Sequence, residues 1–124
     1  MSNIVLSGPT MVLLVRDLQR SIDYYKHLGF HYELVGGPMV QHVHMTRDSV
    51  VFILHPASNP DDVRPFSTVK GGLYFDAFCY CNVREFLEEF TEKGIEIVRG
   101  PDLNDFFSEF TIQDPDGYRI AFGG

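Results

Sequence analysis

Cysteine is scarce in this sequence, and its two copies, Cys79 and Cys81, stand one residue apart. Thiols that close cannot staple distant parts of a fold, so no disulfide framework is expected. Positive charge is scarce too: 10 Lys and Arg against 17 Asp and Glu give −7 at neutral pH. That balance argues against nucleic acid and anionic membrane as partners. No apolar run approaches the ~20 residues of a membrane span, and Met1-Ser2-Asn3 lacks the basic start of a secretory signal. A cytoplasmic location is therefore expected. There is no Gly-rich phosphate loop, no serine-nucleophile motif and no pair of carboxylates at a useful spacing. What remains is 124 residues, 44% hydrophobic and 22% charged. That suits one globular domain over 1–124 with its own core.

The chain repeats itself. Thr10 to Arg16 reads as a strand, Asp17 stands where a helix cap belongs, and Leu18, Ile22 and Tyr25 follow at helical spacing. Gly29 supplies the stop, and Phe30 to Leu34 returns to extended chain. Adding 65 to each number gives a second copy: strand Phe75 to Cys81, cap Asn82 with Glu85 three residues on, an apolar helix face of Val83, Phe86, Leu87 and Phe90, and stop Gly94. Each half continues through further strands. In the first these are Val40 to Met45 and Ser49 to His55. In the second they are Phe106 to Gln113, the turn Asp114-Pro115-Asp116-Gly117, and Tyr118 to Phe122. The expected organisation is α+β, two βαβββ modules at 8–55 and 73–123 joined by a Pro- and Gly-bearing loop at 56–72. Neither half closes its own hydrophobic sheet face, so the two must cooperate.

The residues Val15-Arg16-Asp17-Leu18, Ser21 to Tyr25 and Leu28-Gly29-Phe30, then Lys93-Gly94-Ile95-Glu96, Gly100-Pro101, Glu109-Phe110 and Asp114 to Gly117, resemble the glyoxalase, bleomycin-resistance and extradiol-dioxygenase superfamily. The resemblance covers nearly the whole chain. It implies sheets curled around a shared cup, helices on the convex side, and a homodimer. It also implies that the family's enzymes hold a divalent ion through His or Glu on the first and last strand of each module. Carried over by position, those places fall on Thr10, Ile53, Phe75 and Ala121, none of which is a metal ligand. No metal and no cofactor is therefore expected. The departure points to the branch resembling bleomycin-resistance proteins, where a flat organic molecule stacks in the cup. The plainer alternative is that Phe75 and Ile53 fill a closed core, although Thr10, Ala77 and Ala121 offer little bulk for that.

His42 and His44 share one strand face. A hairpin centred between Arg47 and Asp48 pairs residues whose numbers sum to 95, which puts His42 opposite Ile53 and brings His55 to the same face. Three imidazoles there could bind a metal, contact a ligand, or simply pack. Cys79 and Cys81 are assigned to the face of Phe75 and Ala77, as small hydrophobes rather than catalytic thiols. Asp76 falls on the opposite face, beneath the second helix, where a lone carboxylate is costly. Phe106 and Phe107 read as a lid over the cavity or as a dimer contact. Arg119 shares a face with Ala121, and Tyr24 and Tyr25 read as helix packing. The function expected is metal-independent sequestration of a small, partly aromatic molecule, an antibiotic or a toxic metabolite, in a cup lined by Thr10, His42, His44, Ile53, His55, Phe75, Ala77, Phe106, Phe107, Arg119 and Ala121. The alternative is a lyase or dioxygenase with a displaced metal site at His42, His44 and His55. A third possibility is an interaction domain whose cup has filled in.

Overall fold

The computed structural model describes residues 4–36 and 42–124. Asp17 caps helix α1 (Leu18–His27), its carboxylate accepting the Arg20 N–H at 3.1 Å. Asn82 caps α2 (Val83–Glu92), accepting the Glu85 N–H at 3.3 Å. Gly29 and Gly94 end the two helices with φ of 93° and 73°, a left-handed conformation that a side chain would resist. The offset of 65 therefore holds through caps, helices and stops.

The described residues also form eight strands: β1 (Met11–Val15), β2 (His31–Val35), β3 (His42–Arg47), β4 (Val50–Pro56), β5 (Ala77–Tyr80), β6 (Ile97–Asp102), β7 (Glu109–Gln113) and β8 (Arg119–Gly123). They form two mixed sheets, ordered β1-β4-β3-β2 and β5-β8-β7-β6. The β1–β4 and β5–β8 pairs are parallel and the rest antiparallel. This is the α+β fold of two βαβββ modules. Among the described residues no strand pairing joins the two sheets. The connecting loop contains short 3₁₀ turns at Pro60–Asp62 and Phe66–Thr68. No helix among the described residues is long and apolar enough to cross a membrane.

The modules join through their helix-bearing sides. One core takes Leu13, Val15, Tyr25, Phe52 and Leu54 from the first and Cys79, Phe90, Phe110, Ile112 and Phe122 from the second. The Tyr25 hydroxyl donates to the Asp114 carboxylate at 2.8 Å, and Ser21 donates to Asp116 at 3.2 Å. Arg16 donates its backbone N–H and guanidinium to Asp116 at 3.1 and 3.3 Å. Burial pushes the Asp114 carboxyl up to about 6. Across the module boundary, Arg47 grips Glu89 with two bonds of 2.7 and 2.8 Å, and this contact holds the Glu89 carboxyl down at about 2.

Two registers differ from those the sequence suggests. The β3–β4 turn is centred between Asp48 and Ser49, with Asp48 at φ 52°, so paired numbers sum to 97: Arg47 faces Val50 and His44 faces Ile53. The slip of two preserves parity, and the histidine face survives it. In the second module β5 is displaced by one residue against its cap. Arg16 stands between Val15 and Asp17, whereas Cys81 runs directly into Asn82. Val12 pairs with Ile53 and Phe78 pairs with Ala121, so Phe78, not Ala77, repeats Val12.

Candidate functional site

Alternation along the strands sorts each sheet into a helix side and an open side. In the first sheet Leu13, Val15, Val43, Met45, Phe52 and Leu54 are buried on the helix side. The open side carries Thr10, Val12, His42, His44, Ile53 and His55. Val12 is 61% exposed, so this face is bare in the single chain. The His42 ring lies 6.2 Å from that of His44 and 6.4 Å from that of His55, centroid to centroid. The strand register adds Glu33 beside His44 and His31 beside Thr46, which no sequence pattern announces because the pairing partner of β2 is not legible there. Among the described residues no three His, Cys, Asp or Glu side chains are placed to hold a metal ion.

The open side of the second sheet is different. Phe78 and Tyr80 point to it, and Tyr80 is 81% exposed. Ala77 and Cys79 turn the other way and pack with the core, as does Cys81. The expectation that they share a cup face with Phe75 is corrected, for the physical reason just given: the one-residue displacement inverts the side of every residue in β5. Phe75 precedes the strand and packs edge-on against Phe78 at 5.2 Å and Tyr74 at 4.9 Å. Phe107 stacks on Phe78 at 6.1 Å, and the Arg99 guanidinium sits 3.6 Å over the Tyr74 ring. Arg99, Tyr74, Phe75, Phe78 and Phe107 thus form a continuous row.

Beneath that row the floor is small. Ala121 and its β7 partner Thr111 are 0% exposed, and a methyl group built on Gly123 would lie 2.5 Å from Phe78 Cζ and 2.6 Å from Phe107 Cζ. Ala121 therefore meets a ligand only if those rings move. Phe106, held by the bond from its backbone N–H to Asn104 Oδ1 at 2.9 Å, projects its ring outward at 97% exposure. Arg119 bonds Gln113 at 3.2 Å on the open side. Phe78, Tyr80 and Tyr74 are lining residues the sequence reading missed. The signal that marks the first two is the missing residue between Cys81 and Asn82.

Asp76 also moves. It, rather than Phe75, repeats Thr10, and it sits just ahead of β5 rather than beneath α2. Its carboxylate accepts the Ser67 N–H at 2.9 Å, the Ser67 hydroxyl at 2.5 Å and the Arg119 N–H at 2.8 Å. Those bonds satisfy the charge that made it look anomalous.

Two βαβββ modules with helices on one side of each sheet and open faces on the other define a two-module sheet protein of the cup-forming kind. The chain belongs to the Glyoxalase/Bleomycin resistance protein/Dioxygenase superfamily, whose model matches residues 8–122. Solved structures agree in fold. An integron cassette protein from V. cholerae is 18% identical, with 97% of this chain and 96% of that one covered and a TM-score of 0.68. A virulence protein from Salmonella typhimurium is 21% identical, with 97% of each chain covered and a TM-score of 0.66. TioX from Micromonospora sp. ML1 is 18% identical, with 94% and 98% covered and a TM-score of 0.66. No curated protein sequence matches.

The divalent ion of the family's enzymes does not fit here. At the four positions implied for its ligands stand Thr10, Ile53, Ala121 and, after the register correction, Asp76. Two are aliphatic, one is a neutral hydroxyl, and the lone carboxylate is already engaged by Ser67 and Arg119.

Proposed function

We propose that the protein binds a small, partly aromatic organic molecule on its open sheet faces without using a metal, sequestering an antibiotic or toxic metabolite in the cytoplasm. The observation that carries this reading is the contrast between the two faces. One is a bare surface of imidazoles and aliphatic residues; the other is a row of aromatic rings over small residues. In a homodimer that sets the histidine face of one copy against the aromatic face of its partner, a planar ligand would stack on Phe78, Phe75 or Phe107 and take hydrogen bonds from His42, His44 or His55. Thr10, Ile53, Arg119 and Phe106 form the rim in this proposal, and Ala77 no longer belongs to it.

A homodimer is part of the same reading. Val12, Tyr80 and Phe106 leave apolar surface on faces that a second copy would cover. The alternative, a lyase or dioxygenase with a displaced metal at His42, His44 and His55, draws support from the convergence of three imidazoles on one open face. Titration of metal-stripped protein with planar aromatic antibiotics tests the primary reading. Binding that is weakened in Phe78→Ala and His42→Ala supports it, and binding that appears only with added divalent metal supports the alternative.

A further inference from the structure

The internal repeat creates two seams between the modules, and they are built differently. At one, α1 and β1 meet the β7–β8 turn, and the space is filled by Tyr25 on Asp114, Ser21 and Arg16 on Asp116, and the Tyr118 hydroxyl on the Leu14 carbonyl at 2.7 Å. At the other, α2 and β5 meet the β3–β4 turn. That turn has only Asp48 and Ser49 at its tip, against the longer Asp114-Pro115-Asp116-Gly117. Among the described residues the polar ties of this seam are Arg47 on Glu89 and, beside that pair, His27 Nε2 against the Lys93 carbonyl at 2.7 Å. In β5 and just after it, Cys79 and Cys81 stand where the repeat has Leu13 and Val15, as the pairings Leu13–Leu54 and Cys79–Phe122 fix. A shorter turn and smaller side chains leave a partly open hollow of about 160 Å³ lined by Phe30, Val50, Cys79, Cys81, Phe86 and Phe122, with the turn residues Arg47 to Ser49 at its mouth.

The hollow is open to solvent on the side of the turn, and an apolar guest that displaces water from its phenyl walls gains from their burial. An engineered apolar cavity of ~150 Å³ stays dry and takes up benzene. The volume and the phenyl-rich walls here match the same class of guest. Arg47, the cation at the rim, is already neutralised by Glu89, the Asp48 carboxylate lies at the exposed tip of the turn, and burial raises the Cys79 thiol to about 11, so the inner wall carries no charge to select an ion.

We infer that the seam between β5, α2 and the β3–β4 turn is a second binding site, for a neutral monocyclic aromatic molecule, separate from the open sheet faces. Its occupant touches both modules at once, and Cys79 and Phe122 belong to the strands whose other sides carry Phe78 and Ala121. The site does not depend on the function proposed above.

The test uses the partly buried Cys81 as reporter, since its thiol lines the hollow. Benzene is the probe, and the rate of Cys81 modification by an aromatic disulfide reagent is the readout. At ten times its dissociation constant, benzene should slow the reaction about tenfold. Cys79→Leu, which restores the residue of the repeat, should fill the hollow and abolish protection; Val50→Phe serves if that variant fails to fold. Phe78→Ala, which alters the open face, should leave protection intact. Absence of protection in the native protein, or equal protection in a filled variant that is folded, overturns the inference.

Discussion

Replacing Asp76 by Ala should be the most damaging change outside the core. The carboxylate takes three hydrogen bonds, two from backbone N–H groups of Ser67 and Arg119 and one from the Ser67 hydroxyl. Bonds to a charged acceptor contribute roughly 1.5–3 kcal/mol each, and removing the acceptor leaves the two backbone donors unmet. Partial solvent access and non-additivity bring the sum down to about 3 kcal/mol. For a chain of this size that is on the order of a 12 °C fall in Tm. Asp76→Asn keeps one acceptor oxygen and should lose about half as much. Ser67→Ala removes only the hydroxyl and should lose about 1 kcal/mol. Urea denaturation followed by far-ultraviolet circular dichroism measures all three. If Asp76→Ala stays within about 0.5 kcal/mol of the native protein, the staple between the connecting loop and β8 is not what secures that end of the sheet.

Other consequences follow from the same geometry. Because burial raises Asp114 to about 6 while its unfolded value is near 4, the folded state holds a proton that the unfolded state gives up between those values. Its contribution is thus full below pH 4 and is lost as pH rises through 6, by about 3 kcal/mol at most; Asp114→Asn should flatten stability across pH 4–7. Glu89, held at about 2 by Arg47, acts in the opposite sense, and its support fades as pH falls from about 4.5 towards 2. Gly123→Ala drives a methyl group into Phe78 and Phe107 and should cost about 2 kcal/mol by calorimetric melting, and an unchanged melt would mean the rings do not rest there. Sedimentation at micromolar concentration should give a particle of twice 14.2 kDa, and a stable monomer would remove the second copy from the account.

Caps, helix faces and glycine stops were legible because they are local chemistry, repeated at a constant offset. Strand facing was not, because a single residue lost between Cys81 and Asn82 is invisible when two repeats are aligned on their caps. The same slip moved Phe75 into Asp76's place and turned Cys79 from the cup into the core. On β3 the turn lies one residue further along than the sequence suggests, a change of two in the pairing register that leaves parity intact, so His42, His44, Ile53 and His55 still fall on one face. The role of Asp76 depends on Ser67, nine positions away in an irregular loop, and no periodicity announces such a partner. The hollow at the second seam is a relation between two turns of different length, which only the packed modules reveal.

In the proposed function, ligand binding needs the open faces and not a metal. Calorimetric titration of a planar aromatic antibiotic into protein stripped with a chelator, then repeated after adding zinc or manganese, tests it most directly. The same affinity is expected in both titrations, with Phe78→Ala weakening binding about tenfold, as loss of a stacked ring of ~1.5 kcal/mol implies. Binding that vanishes on chelation, returns with metal and is lost in His42→Ala would contradict it.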